Sequence, residues 1–237
     1  MRRSWSYYTP ILTYHRVGAF RNDHVPTVSG CVFQRQLALL ARWRYRVLSL
    51  MELVEPLEQG RPMPRRSVVI TFDDGYAETY HVAWPLLKRA GFPSTVFVTP
   101  GEVGRPGFAT WDQLTEMACN GTVIGSHTMH HRYLPEVKDD HLNEELVESK
   151  RVIESRIGRP IDFISYPIGG FTAQAQRIVK DAGYRAACTT NRRALEDGID
   201  RFALRRIKVT ERDGMALLFY TKLSGYYNMF RRLRPPG

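Results

Sequence analysis

The stretch Val68-Val69-Ile70-Thr71-Phe72-Asp73-Asp74-Gly75 decides the fold. Its first five residues are β-branched or aromatic and read as a buried strand. It then breaks off into two carboxylates and a glycine. Three other strand-like runs end in the same manner. Ile11–Tyr14 is followed by His15, Thr122–Ile124 leads through Gly125 and Ser126 to His127, and Ile161–Ser165 runs into Tyr166-Pro167. Thr95–Val98 and Arg185–Cys188 are further strand-like runs. Between them lie helical patterns over Phe33–Arg44, Met51–Gln59, Thr79–Ala90, Trp111–Asn120, Asp140–Ile157, Ala173–Ala182 and Gly214–Phe230. Gly91, Gly121 and Gly183 stand where a left-handed C-cap is expected, and Pro85 predicts a kink or an early first turn.

Repeated β-then-α units imply an α/β protein with a parallel sheet covered by helices. An open sheet collects ligands mainly at one switch point, whereas a closed barrel brings every strand's C-terminal end to one face. Four strands ending in polar or turn motifs favour the barrel. The expectation is a single domain over residues 1–237, with a core at about 10–210 and a C-terminal helical extension at 213–237.

Two adjacent carboxylates leaving an apolar strand are costly to bury unless a cation or a catalytic role compensates them. Consecutive residues point in different directions, so one Asp can bind a metal while its neighbour stays free as a base. The simpler reading is a strand-ending turn that caps the next helix. The second motif is Ser126-His127-Thr128-Met129-His130-His131. Histidines at i and i+4 share one face of a helical turn and can grip one ion. His127 and His131 have that spacing, His130 competes at i+3, and a histidine-rich surface loop is the alternative. Asp74 with two histidines makes a set of three ligands, which leaves a coordination position open, as a catalytic site requires. His15 would share that face and could protonate a departing amine, unless it is a satisfied structural histidine.

At this point the chain resembles the polysaccharide deacetylases, the NodB-homology domain of carbohydrate esterase family 4. The motifs that carry the resemblance are Thr71-Phe72-Asp73-Asp74-Gly75, Ser126–His131 followed by Leu134, and the Tyr166-Pro167-Ile168-Gly169 turn. Pro85–Val98 and Trp111–Gly125 support them, and the similarity covers most of residues 10–210. The resemblance implies a distorted (β/α) barrel and hydrolysis of an N-acetyl group on a glycan. It makes Asp73 the general base and Asp74, His127 and His131 the ligands of a divalent metal, usually zinc. It also makes the Pro167-Ile168-Gly169 turn the oxyanion site, through a backbone N–H near Ile168.

The chain departs from the family pattern in several places. Ser165 stands where most members carry a base-holding arginine, and Ile168 replaces an aromatic. The late Asp-x-x-Trp and Leu-x-His motifs are absent. A branch resembling the poly-N-acetylglucosamine deacetylases carries its catalytic histidine on an early strand, and Tyr14-His15 fits that arrangement. Arg206, in Leu204–Val209, is the candidate replacement for the arginine, the alternative being an ordinary strand-edge charge. Two other functions use the same residues: hydrolysis of a small-molecule amide, and glycan binding by a catalytically decayed site.

The formal net charge is +10, from 34 Lys and Arg against 24 Asp and Glu, with a pI near 9.7. No zinc-finger spacing or RNA-recognition signature accompanies it, so nucleic acid is not the expected partner. The basic residues concentrate at Arg2-Arg3 and at Arg231, Arg232 and Arg234. With the aromatic run Phe219–Phe230, the C-terminal group suits peripheral contact with an anionic membrane and lipid-linked sugar intermediates, or else a helix packed on the barrel. Cys31, Cys119 and Cys188 form no disulfide framework, and no signal-peptide-like or 18-residue apolar segment is present. The expectation is a cytoplasmic enzyme, peripheral to the inner membrane if bound at all.

Overall fold

The structure is a computed structural model that describes residues 9–19, 25–191, 199–225 and 227. Its strands are β1 (Ile11–Tyr14), β2 (Arg16–Val17), β3 (Thr27–Val28), β4 (Arg46–Leu48), β5 (Ser67–Phe72), β6 (Thr95–Val98), β7 (Val123–Ser126), β8 (Phe163–Ser165), β9 (Ala186–Thr189) and β10 (Leu204–Lys208). Its α-helices are α1 (Gly30–Arg42), α2 (Leu50–Glu58), α3 (Trp84–Ala90), α4 (Trp111–Cys119), α5 (Ser149–Ile157), α6 (Ala173–Asp181) and α7 (Ala216–Leu223).

Strands β5 to β10 pair in parallel in chain order, and β1 pairs with both β10 and β5, closing a seven-strand barrel. The ring is distorted at β5. One edge of β5 is taken by β1 over residues 69–72, so β4 and β6 divide the other edge, β4 at 67–69 and β6 at 71–72. Strands β4 and β10 were not among the expected runs. Both carry arginines, a composition that masks a buried strand, and β4 has only three residues. The helical pattern at 140–157 resolves into a 3-10 turn at Asp139–His141, a π-turn at Glu144–Glu148 and then α5. Pro85 opens α3 directly after a π-turn at Thr79–Ala83, where its missing N–H costs least.

Strand alternation sorts the side chains into two cores. Val68, Ile70 and Phe72 of β5 face outward with Val96, Val98, Ile124, Ile164 and the helices. Val69 faces inward with Ile11, Phe97, Phe163, Ala186, Cys188 and Leu204. Leu50, Leu53 and Val54 of α2 join the inner cluster. Glu58 at the end of α2 pairs with Arg185, which immediately precedes β9, and with Arg201, which opens the 3-10 turn leading into β10. Helix α2 therefore plugs the end of the barrel where the strands begin. Above that apolar layer the inward register continues to Thr13, Thr71, Ser165 and Arg206, and then to Asp73 and His127 at the opposite mouth.

Phe219 and Leu223 of α7 pack into the outer core, and the Tyr45 hydroxyl donates to the Leu223 carbonyl. Tyr226 and residues 228–237, including Arg231, Arg232 and Arg234, lie outside the described residues, as do Arg2 and Arg3. Among the described residues no helix is long and apolar enough to cross a membrane.

Candidate active site

Asp73 and Asp74 leave β5 in different directions. Asp73 keeps the strand register, its N–H donating to the Tyr14 carbonyl at 2.9 Å, and its side chain is only 3% exposed. Arg206, 2% exposed on β10, grips it with a two-pronged fork: Nη1 to Oδ1 and Nη2 to Oδ2, both 2.6 Å. The same guanidinium donates to Thr71 Oγ1 at 3.1 Å and to Ser165 Oγ at 2.7 Å. Thr13 Oγ1 donates to Asp73 Oδ2 at 3.3 Å. Arg206 is thus inside the barrel and not at a strand edge, and Ser165 is one of its acceptors. Burial works against the Asp73 charge, but Arg206, together with His127 and His15, holds the carboxyl below its ordinary value.

Asp74 turns out of the strand at φ 72°, and Gly75 continues the turn at φ 76°. The Asp74 Oδ1 atom then sits 3.4 Å from His127 Nε2 and 3.3 Å from His131 Nε2. It is buried and has no hydrogen-bond partner of acceptable geometry. His127 Nδ1 lies 2.7 Å from the Ser165 carbonyl oxygen. A carbonyl only accepts, so Nδ1 carries a proton, and the neutral ring presents its Nε2 lone pair toward Asp74. The two Nε2 atoms and the Asp74 carboxylate oxygen thus face one another as a set of donors that one cation can bridge. Donor atoms about 2.1 Å from a tetrahedral ion stand roughly 3.4 Å apart, and both distances from Asp74 Oδ1 match that spacing. Among the described residues this set is the one group of three or more such side chains whose donor atoms all lie close together, within 4.8 Å.

The two histidines do not converge through a helical turn, as their spacing suggested. His127 still pairs as a continuation of β7, its N–H donating to the Val98 carbonyl at 2.8 Å. Thr128 and His131 then adopt φ 63° and 58°, and the His131 N–H closes the loop on Thr128 Oγ1 at 3.1 Å. His130 turns to Glu145, which accepts from its backbone N–H at 2.9 Å and lies 3.0 Å from its Nδ1. That orientation leaves His130 out of the donor cluster. Glu145 had no local sequence signal, because it reaches the loop from the π-turn before α5.

His15, Asp73, Asp74, His127, His131 and Arg206 line one pocket of about 480 Å³. His15 Nδ1 is buried without a hydrogen-bond partner. Burial lowers its pKa from the usual imidazole value, against the pull of Asp73 and Asp74. Ile168 and Gly169 line the same pocket, at φ 59° and 84°, whereas Pro167 is buried and does not. Thr71, Thr13 and Ser165 also belong to this network. The period-two register running down from Asp73, His15 and Pro167 was the signal that could have found them.

The sequence profile of the polysaccharide deacetylase family matches residues 60–187, more than half of the chain. The Bacillus subtilis (strain 168) protein YxkH is 30% identical over 201 residues, covering 85% of this chain and 71% of that protein. A poly-β-1,6-N-acetyl-D-glucosamine N-deacetylase of Staphylococcus aureus (strain MRSA252) is 25% identical over 227 residues, 84% of this chain and 78% of that one. The solved structure of the Streptococcus pyogenes deacetylase PplD in complex with acetate superposes with a TM-score of 0.78 at 25% identity, over 96% of this chain and 98% of that one. The chain belongs to the polysaccharide deacetylase family, and it is a hydrolase of amide bonds.

Proposed function

We propose that the chain removes acetyl groups from N-acetylated sugars of a polysaccharide with the help of a divalent metal, zinc, held by Asp74, His127 and His131. The observation that carries this reading is the convergence of Asp74 Oδ1 with two histidine Nε2 atoms beside a separately held Asp73. When bound, such an ion polarises an acyl oxygen and lowers the pKa of water. Asp73 is the general base in this reading: the Arg206 fork keeps it ionised and aimed, and it takes the proton of the attacking water. His15 delivers a proton to the sugar nitrogen as the C–N bond breaks, giving acetate and a free amine. The Ile168 backbone N–H shares the charge developing on the acyl oxygen, with Pro167 and Gly169 shaping the turn that presents it.

Two likenesses support the substrate class. The S. aureus relatives are named for poly-β-1,6-N-acetyl-D-glucosamine, and PplD was solved with acetate, the product such a hydrolysis releases. We also read residues 1–237 as one catalytic unit, since the ring is incomplete without β10 and α7 packs on its outer core.

The test is acetate release from β-1,6-linked N-acetylglucosamine oligomers by the zinc-loaded chain, before and after exhaustive chelation. Release that stops on chelation and returns with zinc is expected. Asp74→Ala should retain no stoichiometric zinc. Undiminished release from the chelated protein removes the metal from the reading, and release from small amides alone turns the function toward the small-molecule alternative.

A further inference from the structure

Ile168 holds a side chain that the construction of the site leaves unexplained. Its backbone lies at φ 59°, ψ −2°, in the left-handed region where a β-branched residue is strained. The turn is imposed by its surroundings. Thr190 Oγ1 donates to the Ile168 carbonyl at 3.2 Å, Thr189 Oγ1 donates to the Gly169 carbonyl at 2.6 Å, and the Gly169 N–H donates to Tyr166 O at 2.9 Å. Gly169 is itself fixed, because a Cβ there would meet Thr190 Oγ1 at 2.4 Å. Nothing in that scheme asks for isoleucine, and Gly or Asn would hold the same backbone at lower cost.

Packing does not ask for it either. Ile168 is 72% exposed and belongs to neither apolar core. It does line the pocket, facing a site whose other residues include Val25, Pro26 and Phe108 as well as the charged cluster. A branched apolar group held in strain at the rim of a polar pocket can recover buried surface only against something that enters the pocket. A pyranose ring has hydroxyl groups at its edge and C–H groups on its faces.

We propose that Ile168 is a substrate-binding residue whose side chain packs on the C–H face of the sugar that carries the acetamido group. The inference rests on the glycan-deacetylase reading and adds a side-chain contact to the backbone role given above. The Ile168 side chain thus sets affinity for the ring, and the strain in its backbone is tolerated for that contact.

Ile168→Gly separates the two, since glycine keeps the turn and its N–H while removing both the side chain and the strain. Binding of a β-1,6-linked N-acetylglucosamine oligomer is measured by calorimetry on zinc-loaded protein, in an Asp73→Asn background so that the oligomer is not consumed. Removing the contact should weaken Kd about tenfold, and Ile168→Leu should recover most of it. The glycine variant should at the same time melt about 2–4 °C higher. An unchanged Kd for Ile168→Gly overturns the proposal, and so does a lower Tm, which would show that the side chain serves the fold. Acetate release by the otherwise wild-type chain is read separately: its absence counts against the deacetylase reading, whereas the binding comparison still decides the Ile168 contact.

Discussion

Asp73 and Asp74 are neighbours in the chain, yet they belong to regions built on different principles. Asp73 sits on regular strand, inside the barrel, and both its oxygens are engaged by Arg206. Asp74 sits on a left-handed turn at the mouth, with a buried oxygen that no protein hydrogen bond satisfies. Of the histidines facing it, His127 continues strand β7 and His131 comes from a loop with two further left-handed residues, Thr128 and His131 itself. Strands from distant parts of the sequence complete the inner region, while strained loops position the outer one. The inner charge is balanced by the chain itself, and the outer donors are those proposed to hold the metal.

This contrast is broken most directly at Asp73. On the proposed roles, Asp73→Asn should lower turnover by about 10²–10⁴-fold while zinc stoichiometry stays at that of the wild type. Near-normal turnover removes Asp73 as the base. Loss of zinc as well would mean that the two regions are not separable. Replacing Arg206 tests the balance of charge in the interior. Arg206→Ala leaves a buried carboxylate uncompensated, and urea unfolding should show a loss of about 3–5 kcal/mol. Arg206→Lys keeps the charge but cannot reproduce the two-pronged grip, so it should recover part of the stability and little of the turnover. An Arg206→Ala variant as stable as the wild type would show that the pair contributes nothing net.

The same division explains how much the sequence disclosed. Val68–Gly75 and Ser126–His131 are local motifs, and a reading along the chain finds both the barrel and the three residues, Asp74, His127 and His131, whose donor atoms the fold gathers. Their local geometry was less legible: the i, i+4 histidines suggested a helical turn, whereas positive φ at Thr128 and His131 does the work. Arg206 lies 133 positions from Asp73. Only the closure of β10 onto β1 makes them partners, and β10 itself is hidden by its arginines and lysine. Glu145 illustrates the same limit. Its contacts with the histidine loop depend on a π-turn that periodicity alone renders as continuous helix.

Glu145 gives a sharper probe of the outer region. It is fully buried and accepts from the His130 backbone, its own carbonyl accepts from the Met129 N–H at 3.1 Å, and Arg132 Nε lies 3.4 Å from its carboxylate. Glu145→Gln keeps the shape but weakens its grip on the loop. Zinc affinity, measured by competition with a chelating dye, should fall about tenfold. The affinity of Asp73→Asn should not move, and equal changes in the two variants would erase the distinction between base and ligand loop.

Two glycines offer the finest version of the comparison, because each touches one region only. A Cβ on Gly125 of β7 would meet the Phe97 ring at 2.6 Å and the Phe163 carbonyl at 3.0 Å, and the Arg206 guanidinium stacks 5.3 Å from that ring. A Cβ on Gly101 would instead meet the Met129 carbonyl at 2.8 Å and His130 at 3.2 Å, beside the ligand loop. Gly125→Ala overpacks the interior and should cost about 1–3 kcal/mol in urea unfolding, with zinc affinity unchanged. Gly101→Ala should do the reverse, shifting the 127–131 loop and weakening zinc severalfold, with a smaller change in stability. The crossing of the two effects is the informative result. If both variants lower stability and zinc affinity in the same proportion, the interior and the mouth respond as one mechanical unit, and the separate construction of Asp73 and Asp74 has no energetic counterpart.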